Sequence, residues 1–182
     1  GSPLIDCEFV AELGAEGFPA EQPNFVNAVV AGTLKNKLGG FGVAPCGTGK
    51  TIMGAAAAVR LGYSTLVLVN KEFLAQQWVE TFTRFVRIQG KPPKVGIIQQ
   101  GKCQFGPAYP FAVATVQSLA SRKYPDEFYK AWGTVITDEV HHSPCATFFD
   151  ALASIKAKYL LGVTATLRRK DGLEAAFEQI MG

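Results

Sequence analysis

Short apolar segments recur along the chain and alternate with longer segments whose apolar residues return at helical intervals. The short segments are rich in β-branched residues and apolar at consecutive positions, a pattern typical of strands that are covered on both faces. The predicted strands are Gly42–Ala44, Thr65–Val69, Val95–Ile98, Phe111–Thr115, Thr134–Thr137 and Tyr159–Val163. Because strands of this kind are buried on both sides, the pattern favours a parallel sheet.

Three longer segments predict helices that cover this sheet. Thr51–Leu61 is rich in alanine, and Glu72–Val86 places most of its large side chains along one stripe. The predicted stripe consists of Phe73, Leu74, Gln77, Trp78, Phe82 and Phe85. Another stripe, preceded by Pro23, consists of Phe25, Val26, Val29, Val30 and Leu34. The alternation of strands and helices predicts a doubly wound α/β fold, with a mostly parallel central sheet flanked by helices on both faces.

Composition narrows the class of protein without identifying it. The chain has 182 residues, of which 48% are hydrophobic and 18% charged, which suits one domain with a sizeable core. Lysine and arginine exceed aspartate and glutamate by 18 − 15 = 3, a balance that permits a nucleic-acid partner but does not require one. No apolar run approaches the ~20 residues that span a bilayer, so we expect no membrane partner. We interpret Gly1-Ser2 as a cloning scar.

The four cysteines are widely spaced and form no CxxC pair; they are Cys7, Cys46, Cys103 and Cys145. This spacing argues against a zinc site and against a disulfide framework. We therefore expect reduced thiols in an intracellular compartment.

The segment APCGTGKT, Ala44–Thr51, follows an apolar run and opens the alanine-rich helix, which is the context of a phosphate-binding loop. Backbone N–H groups and the positive end of the helix attract phosphate, and Gly47 and Gly49 let the backbone close around it. Lys50 can reach the β- and γ-phosphates, and the Thr51 hydroxyl can bind Mg²⁺. The alternative is a glycine-rich turn with an incidental lysine. The predicted nucleotide-binding residues of the loop are Pro45, Cys46, Gly47, Thr48, Gly49, Lys50 and Thr51.

A second motif, ITDEVHH, ends an apolar strand with two adjacent carboxylates, Asp138 and Glu139. Ligands bind at the carboxyl ends of strands in sheets of this type, so Asp138 can bind Mg²⁺ opposite Thr51. Glu139 can then orient or deprotonate the attacking water. Taken alone, the motif could be a pair of acids in a solvated loop. His141 either ligates a metal, although no third ligand of fitting spacing accompanies it, or couples the nucleotide site to a moving element.

In this order, the segments APCGTGKT, DEVH and GVTATLRRKDGLE resemble the motifs of the first motor domain of superfamily 2 helicases and translocases, closest to the DExH branch. The segment TATLRRKDGL is similar to that of excision-repair helicases, phage recombination helicases and restriction-enzyme motor subunits. The resemblance spans roughly Gln22 to Leu173 and implies a RecA-like P-loop NTPase fold.

The resemblance also implies a role for each residue at the nucleotide site. Lys50 and Thr51 would bind phosphate and magnesium, and Asp138 would bind magnesium. Glu139 would be the catalytic base, and His141 would communicate with the partner domain. The implied cofactors are therefore ATP and Mg²⁺.

The same resemblance implies contacts to nucleic acid and to adenine. NKEFLAQQW and TVQSL resemble strand-contacting motifs, and TAT resembles the motif that couples hydrolysis to strand movement. The residues implied are Lys71, Gln76, Thr115, Gln117, Ser118, Thr164, Ala165, Thr166, Arg168 and Arg169. Gln22 matches the glutamine that reads adenine, and Phe18 could stack on the base. Structural interpretations stay open, namely Trp78 and Phe82 as core residues, TVQS as a strand end with a capping hydroxyl, and Arg168–Lys170 as a solvated loop.

These observations predict an ATP-dependent helicase or translocase motor. We assign residues 1–20 to a lead-in and 21–182 to the ATP-binding domain, with the second RecA-like domain absent from this chain. Since that second domain supplies an arginine finger worth ~10³–10⁵ in rate, we expect very slow hydrolysis by this chain alone. We expect DNA as the partner, with RNA as the alternative. We also expect a monomer and a cytoplasmic location, associated with the nucleoid or in the host cytoplasm if the protein is phage-encoded.

Functions from two other classes remain as alternatives. One is a P-loop enzyme that does not act on nucleic acid, such as a small-molecule kinase, and the TAT motif argues against it. The other is a nucleotide-binding module kept for regulation or assembly. The presence of Lys50, Asp138 and Glu139 argues against the second alternative, because catalysis needs all three.

Overall fold

The computed structural model describes residues 4–15, 19–36, 39–43, 47–99, 101–138 and 146–164. The strands are β1 (Glu8–Phe9), β2 (Gly39–Val43), β3 (Thr65–Val69), β4 (Val86–Arg87), β5 (Val95–Gln99), β6 (Lys102–Cys103), β7 (Phe111–Thr115), β8 (Thr134–Asp138) and β9 (Tyr159–Thr164). The helices are α1 (Gln22–Asn36), α2 (Lys50–Leu61), α3 (Glu72–Phe85), α4 (Val116–Ser121), α5 (Asp126–Lys130) and α6 (Ala146–Ser154). None of these described helices is long and apolar enough to cross a membrane.

Seven of the described strands form one sheet in the order β2-β9-β8-β3-β7-β5-β6. Neighbouring strands are parallel throughout, except at the edge where β6 runs antiparallel to β5. A parallel neighbour cannot be reached by a tight turn, so the chain crosses back through helices between the central strands. The predicted α/β fold with a mostly parallel sheet is therefore confirmed.

Side chains of the central strands alternate between two hydrophobic cores. Val67 and Val69 of β3 belong to a core that they share with α1, α2 and α3. Leu66 and Leu68 of the same strand belong to a core that they share with α4, α5 and α6. These are called here the α1–α3 core and the α4–α6 core. Helices thus cover both faces of the sheet, which explains why its strands are apolar at consecutive positions.

Predicted and observed strand bounds agree best at the centre of the sheet. β3 and β7 have the predicted bounds, and β5, β8 and β9 each extend one residue further. β2 begins at Gly39, three residues before its predicted start, and the predicted end at Ala44 lies outside the described residues. Glycine has low intrinsic preference for strands, so Gly39 and Gly40 are held extended by their pairing with β9 rather than by local preference.

The predicted apolar stripe of α3 is wrong at two positions. Phe73 is 65% exposed, and Gln77, four residues later on the same helix face, is exposed as well. The buried face of α3 carries Trp78 and Phe82, neither of which has any exposed surface. The interpretation of these two residues as core is therefore confirmed. Leu34 in α1 also departs from its predicted stripe, since it is 50% exposed.

The predicted lead-in contributes a small sheet of its own. β1 pairs antiparallel with β4, and the Ile5 N–H donates a hydrogen bond to the Gly62 carbonyl oxygen at 2.8 Å. Cys7 lies half-buried beside α2, where its Sγ is 4.0 Å from the Val59 carbonyl oxygen. Burial, with a smaller contribution from the Asp6 carboxylate, raises the pKa of the Cys7 thiol to about 11. The thiol is therefore protonated and poorly nucleophilic at neutral pH.

Candidate nucleotide and magnesium site

Two glycines shape the N-terminus of α2 for binding an anion. Gly47 and Gly49 have φ values of 83° and 78°, in the left-handed region that residues with a Cβ rarely adopt. Gly49 is the N-cap of α2, and within the described residues no side chain caps the helix there. The backbone N–H groups of the first turn and the positive end of the helix dipole are therefore directed towards the loop. This geometry is the one that the phosphate-loop motif predicts.

Gln22, the first residue of α1, lies against this loop with 1% of its surface exposed. Its Nε2 donates a hydrogen bond to the Thr48 carbonyl oxygen at 2.8 Å. A Cβ at Gly49 would lie 2.6 Å from the same nitrogen, so the contact requires glycine there in addition to the φ value. The Gln22 Oε1 has no hydrogen-bond partner among the described residues. The amide oxygen is suited to accept a hydrogen bond from an amino group such as that of adenine.

Asp138 ends β8 at the carboxyl edge of the sheet and is 3% exposed. Its Oδ2 accepts a hydrogen bond from the indole Nε1 of Trp78 at 2.8 Å. A carboxylate can accept several hydrogen bonds, so the indole leaves acceptor capacity for water or a cation. Thr51 lies in the first turn of α2, and α2 packs against β8 and β9. Hydroxyl and carboxylate oxygens are the ligands that Mg²⁺ prefers, so the residues present fit the ion.

The structure describes part of the set predicted for phosphate, magnesium and catalysis. The described members are Gly47, Thr48, Gly49, Lys50, Thr51 and Asp138. Lys50 begins α2, as the motif predicts for a residue that reaches the phosphates. The members that lie outside the described residues are Pro45, Cys46, Glu139 and His141. Their roles stay predictions.

The residues predicted to contact nucleic acid lie where β3 and β7 end. These strands are parallel neighbours with Val69 opposite Thr115, so α3 and α4 begin side by side at the carboxyl edge of the sheet. Lys71, Gln76 and Gln117 are exposed there. The topology therefore groups polar side chains of the two motifs predicted to contact nucleic acid on one edge, although they are far apart in the sequence.

Thr115 and Ser118 have a structural role at the same edge. Thr115 is the N-cap of α4, and its Oγ1 accepts a hydrogen bond from the Ser118 N–H at 3.2 Å and lies 2.8 Å from the Ser118 Oγ. The interpretation of TVQS as a strand end with a capping hydroxyl is confirmed. Thr164 is the last residue of β9 and pairs with Val43 of β2. The other predicted coupling residues, Ala165, Thr166, Arg168 and Arg169, lie outside the described residues, as does Phe18.

The sequence matches the profile of the family described as "Type III restriction enzyme, res subunit" over residues 17–169. The matched region contains the phosphate loop and the acidic motif and covers most of the chain. The chain belongs to this family. The region matched by the res-subunit family also includes Gln22.

Relatives of this res-subunit domain carry the names of helicases. It is 37% identical over 144 residues to "Putative ATP-dependent RNA helicase L396" of Acanthamoeba polyphaga mimivirus, an alignment that covers 79% of this chain and 27% of that protein. It is 35% identical over 152 residues to "DNA 3'-5' helicase XPB" of Kineococcus radiotolerans, covering 79% of this chain and 26% of that protein. The chain therefore spans about a quarter of the length of these relatives.

The res-subunit domain shares its fold with a solved ATPase core. The Sulfolobus solfataricus SWI2/SNF2 ATPase core, solved in complex with dsDNA, matches with a TM-score of 0.70 at 16% identity. The match covers 99% of this chain and 37% of that one. At this level of identity the likeness shows the fold. Together with the family match and the relatives named as helicases, it confirms the predicted likeness to the first RecA-like domain of superfamily 2.

The hydrogen bond between Trp78 and Asp138 was not predicted from the sequence. The two residues are separated by 60 positions, so no local pattern joins them. One general signal was available, because the N–H of a buried tryptophan usually finds an acceptor. That signal does not say which acceptor is used.

Proposed function

We propose that this res-subunit domain is the first motor domain of an ATP-dependent helicase or translocase that acts on nucleic acid. The Gln22 amide, buried against the phosphate loop, carries the proposal. A phosphate loop alone binds many phosphorylated ligands, whereas an amide beside it adds a hydrogen-bonding group for a base. The Gln22 Nε2 is fixed by the Thr48 carbonyl oxygen at 2.8 Å, which keeps the amide at the loop. A nucleotide is the ligand that uses both features.

Each residue of the site has a proposed role in binding or hydrolysing ATP. Lys50 and the N–H groups at the start of α2 bind the phosphate oxygens, and the Gln22 amide recognises adenine. Thr51 and Asp138 hold magnesium, which supplies positive charge beside the β- and γ-phosphates when it is bound. Glu139 orients or deprotonates the attacking water, and His141 communicates with a second motor domain.

The proposed track is DNA, held at the edge where α3 and α4 begin. Exposed Lys71, Gln76 and Gln117 support a surface that contacts phosphates and sugars, because polar contacts of this kind position a strand without reading its sequence. Binding is therefore expected to be sequence-tolerant and to weaken as salt rises. A relative named as a DNA helicase and a structural neighbour solved with dsDNA support DNA. A relative named as an RNA helicase makes RNA the outcome to test against it.

The chain is proposed to need a second motor domain for rapid hydrolysis. Arginine fingers in phosphoryl-transfer enzymes contribute ~10³–10⁵ in rate, and in superfamily 2 the resemblance assigns this arginine to the second RecA-like domain. We propose that the chain is a monomer and that it works in the cytoplasm. Its widely spaced cysteines, which suit a reducing compartment, support that location.

The proposed function is tested in two steps. In the first, a fluorescent ATP analogue is titrated into this chain with Mg²⁺, and wild-type protein is expected to bind while Lys50→Ala is not. In the second, ATP hydrolysis by a longer chain that includes the second motor domain is measured alone and with single-stranded DNA, duplex DNA or RNA. Stimulation by DNA that Lys50→Ala abolishes is the expected result.

Other outcomes of the same assays separate the alternatives. Hydrolysis that no polynucleotide changes contradicts the motor and favours a P-loop enzyme of another class. Binding without hydrolysis in the longer chain favours a regulatory nucleotide-binding module. Stimulation by RNA alone keeps the motor and changes its track. Rapid multiple-turnover hydrolysis by the isolated chain contradicts the need for a second domain.

A further inference from the structure

The indole of Trp78 contacts the one described carboxylate that we assign to magnesium. Trp78 has no exposed surface, and its Nε1 donates a hydrogen bond to the Asp138 Oδ2 at 2.8 Å. Asp138 itself is 3% exposed, so the bond lies inside the α1–α3 core. A hydrogen bond to an ionised group in such surroundings is shorter and stronger than one between neutral groups. The indole therefore restricts the orientation of the carboxylate.

The surrounding residues fix the indole in turn. A Cβ at Gly54 of α2 would lie 2.5 Å from the Trp78 Cη2, so the ring edge occupies the space that a side chain on α2 would need. On its other side, Phe82 lies with its ring centroid 5.6 Å from that of Trp78, and Phe82 stacks on Phe111 at 4.5 Å. With α2 and these rings packed around it, the indole has little freedom to change rotamer. A fixed donor holds its acceptor in one position.

We propose that Trp78 is a positioning residue that orients the Asp138 carboxylate for binding the magnesium–nucleotide complex. The inference rests on the proposed function, because it takes Asp138 as the magnesium carboxylate. Groups that hydrogen-bond to metal ligands orient those ligands and tune metal affinity. Trp78 lies about two helical turns after Lys71, which is the N-cap of α3 and lies at the proposed nucleic-acid edge. α3 thus connects that edge to the magnesium carboxylate through one buried side chain.

The chain offers a matched control for this inference. It contains two tryptophans, and the second, Trp132, is 1% exposed in the α4–α6 core. The Trp132 Nε1 has no hydrogen-bond partner among the described residues. Trp78→Phe and Trp132→Phe therefore remove the same number of buried atoms, but the first variant alone removes a donor to Asp138.

The first experiment measures nucleotide affinity with and without the metal. Wild type, Trp78→Phe and Trp132→Phe are titrated with a fluorescent ADP analogue, once in Mg²⁺ and once in EDTA. Trp78→Phe is expected to weaken binding in Mg²⁺ by about 10-fold, as for other groups that orient metal ligands, and to leave binding in EDTA unchanged. Trp132→Phe is expected to change neither value. Equal affinities of Trp78→Phe and wild type in Mg²⁺ would overturn the inference.

The second experiment observes the indole N–H directly, in the wild-type protein and in the variants Trp132→Phe and Asp138→Asn. Indole ¹⁵N–¹H resonances are recorded by NMR before and after addition of ADP and Mg²⁺, and the Trp132→Phe spectrum assigns the two signals. The Trp78 signal is expected to shift with Mg²⁺ and ADP, and to move in Asp138→Asn without any ligand. A Trp78 signal that is unchanged by Asp138→Asn overturns the inference. Failure of the wild type to bind nucleotide in either buffer instead contradicts the proposed function itself.

Discussion

The two faces of the central sheet each bury a tryptophan, and the two tryptophans differ in what they contact. Trp78 in the α1–α3 core donates its indole N–H to a carboxylate, whereas Trp132 in the α4–α6 core has no hydrogen-bond partner among the described residues. Around Trp132 lie other rings, including Phe128 at 5.9 Å between centroids. Buried tryptophan therefore contributes to packing in both cores, and in the α1–α3 core it also hydrogen-bonds a carboxylate of the candidate site.

This difference assigns separate tasks to the two layers of helices. The α1–α3 layer carries Gln22, the phosphate loop before α2, and the donor to Asp138. The α4–α6 layer carries an aromatic cluster in which Phe128 stacks on Tyr124 at 4.3 Å and meets Phe105 edge to face at 5.4 Å. We expect substitutions in the first layer to affect stability and nucleotide binding together, and substitutions in the second to affect stability alone.

The substitution Phe128→Ala, in the α4–α6 layer, is expected to lower the free energy of unfolding more than the other substitutions discussed below. Phe128 is fully buried in the centre of the aromatic cluster, so its removal leaves a cavity and is expected to lower the free energy of unfolding by about 3–5 kcal/mol. Urea unfolding measures this loss. The folded fraction should keep wild-type affinity for nucleotide. A fall in affinity beyond what the loss of folded protein explains would mean that the two layers are coupled.

The substitution Gly54→Ala tests the α1–α3 layer, at the contact between α2 and the Trp78 ring. The added Cβ would collide with the Trp78 ring at 2.5 Å, and crowding of this kind in a packed core costs about 1–3 kcal/mol. Because the displaced ring carries the donor to Asp138, nucleotide affinity in Mg²⁺ should fall as well. Both quantities are measured on the same protein by thermal unfolding and titration.

Gly32→Ala is the matched control for that substitution. A Cβ at Gly32, in α1, has nothing within 4 Å, so alanine there is expected to raise the free energy of unfolding by about 0.4–1 kcal/mol. Nucleotide affinity should not change. If Gly54→Ala and Gly32→Ala behave alike, the contact between α2 and the indole does not constrain the site.

Among the substitutions expected to destabilise the protein, the smallest loss of stability is expected at the edge where α4 begins. Thr115→Ala removes the hydroxyl that caps α4 and should lower the free energy of unfolding by about 1 kcal/mol, whereas Thr115→Ser keeps the cap. DNA affinity of both variants, measured by fluorescence anisotropy, distinguishes the cap from a nucleic-acid contact. Wild-type DNA affinity in both variants assigns Thr115 to the cap alone, and a loss confined to Thr115→Ala indicates that DNA binding needs the hydroxyl at this position.

Much of the fold could be predicted because several local patterns agree with the final structure. The bounds of β3 and β7 follow directly from uninterrupted apolar segments, since both strands are covered on both faces. The prediction fails where tertiary pairing overrides local preference, as in glycine-rich β2, and where a strand is only two residues long, as in β1. Phe73 was misplaced because a large apolar side chain on a helix need not face the core.

The candidate site shows the same division between local and long-range information. Gly47, Gly49, Lys50 and Thr51 form one short motif whose geometry follows from the strand, turn and helix around it. The contact of Asp138 with Trp78 depends on the sheet order, which places β8 next to β3, the strand that leads into α3. No local pattern in the sequence specifies the order of the strands in the sheet. Contacts of this kind become visible only when the strands are assembled.

The position of β2 also has a consequence for how the protein is made. β2 leads to the phosphate loop and lies at the edge of the described sheet, where its neighbour is β9. Gly39 pairs with Leu160, so the ribosome adds about 120 residues between the two partners. At ~5–20 residues per second, this separates their synthesis by roughly 6 to 24 seconds. β2, which leads to the candidate phosphate loop, therefore lacks its described sheet neighbour until β9 has been translated, after every described residue of the candidate site.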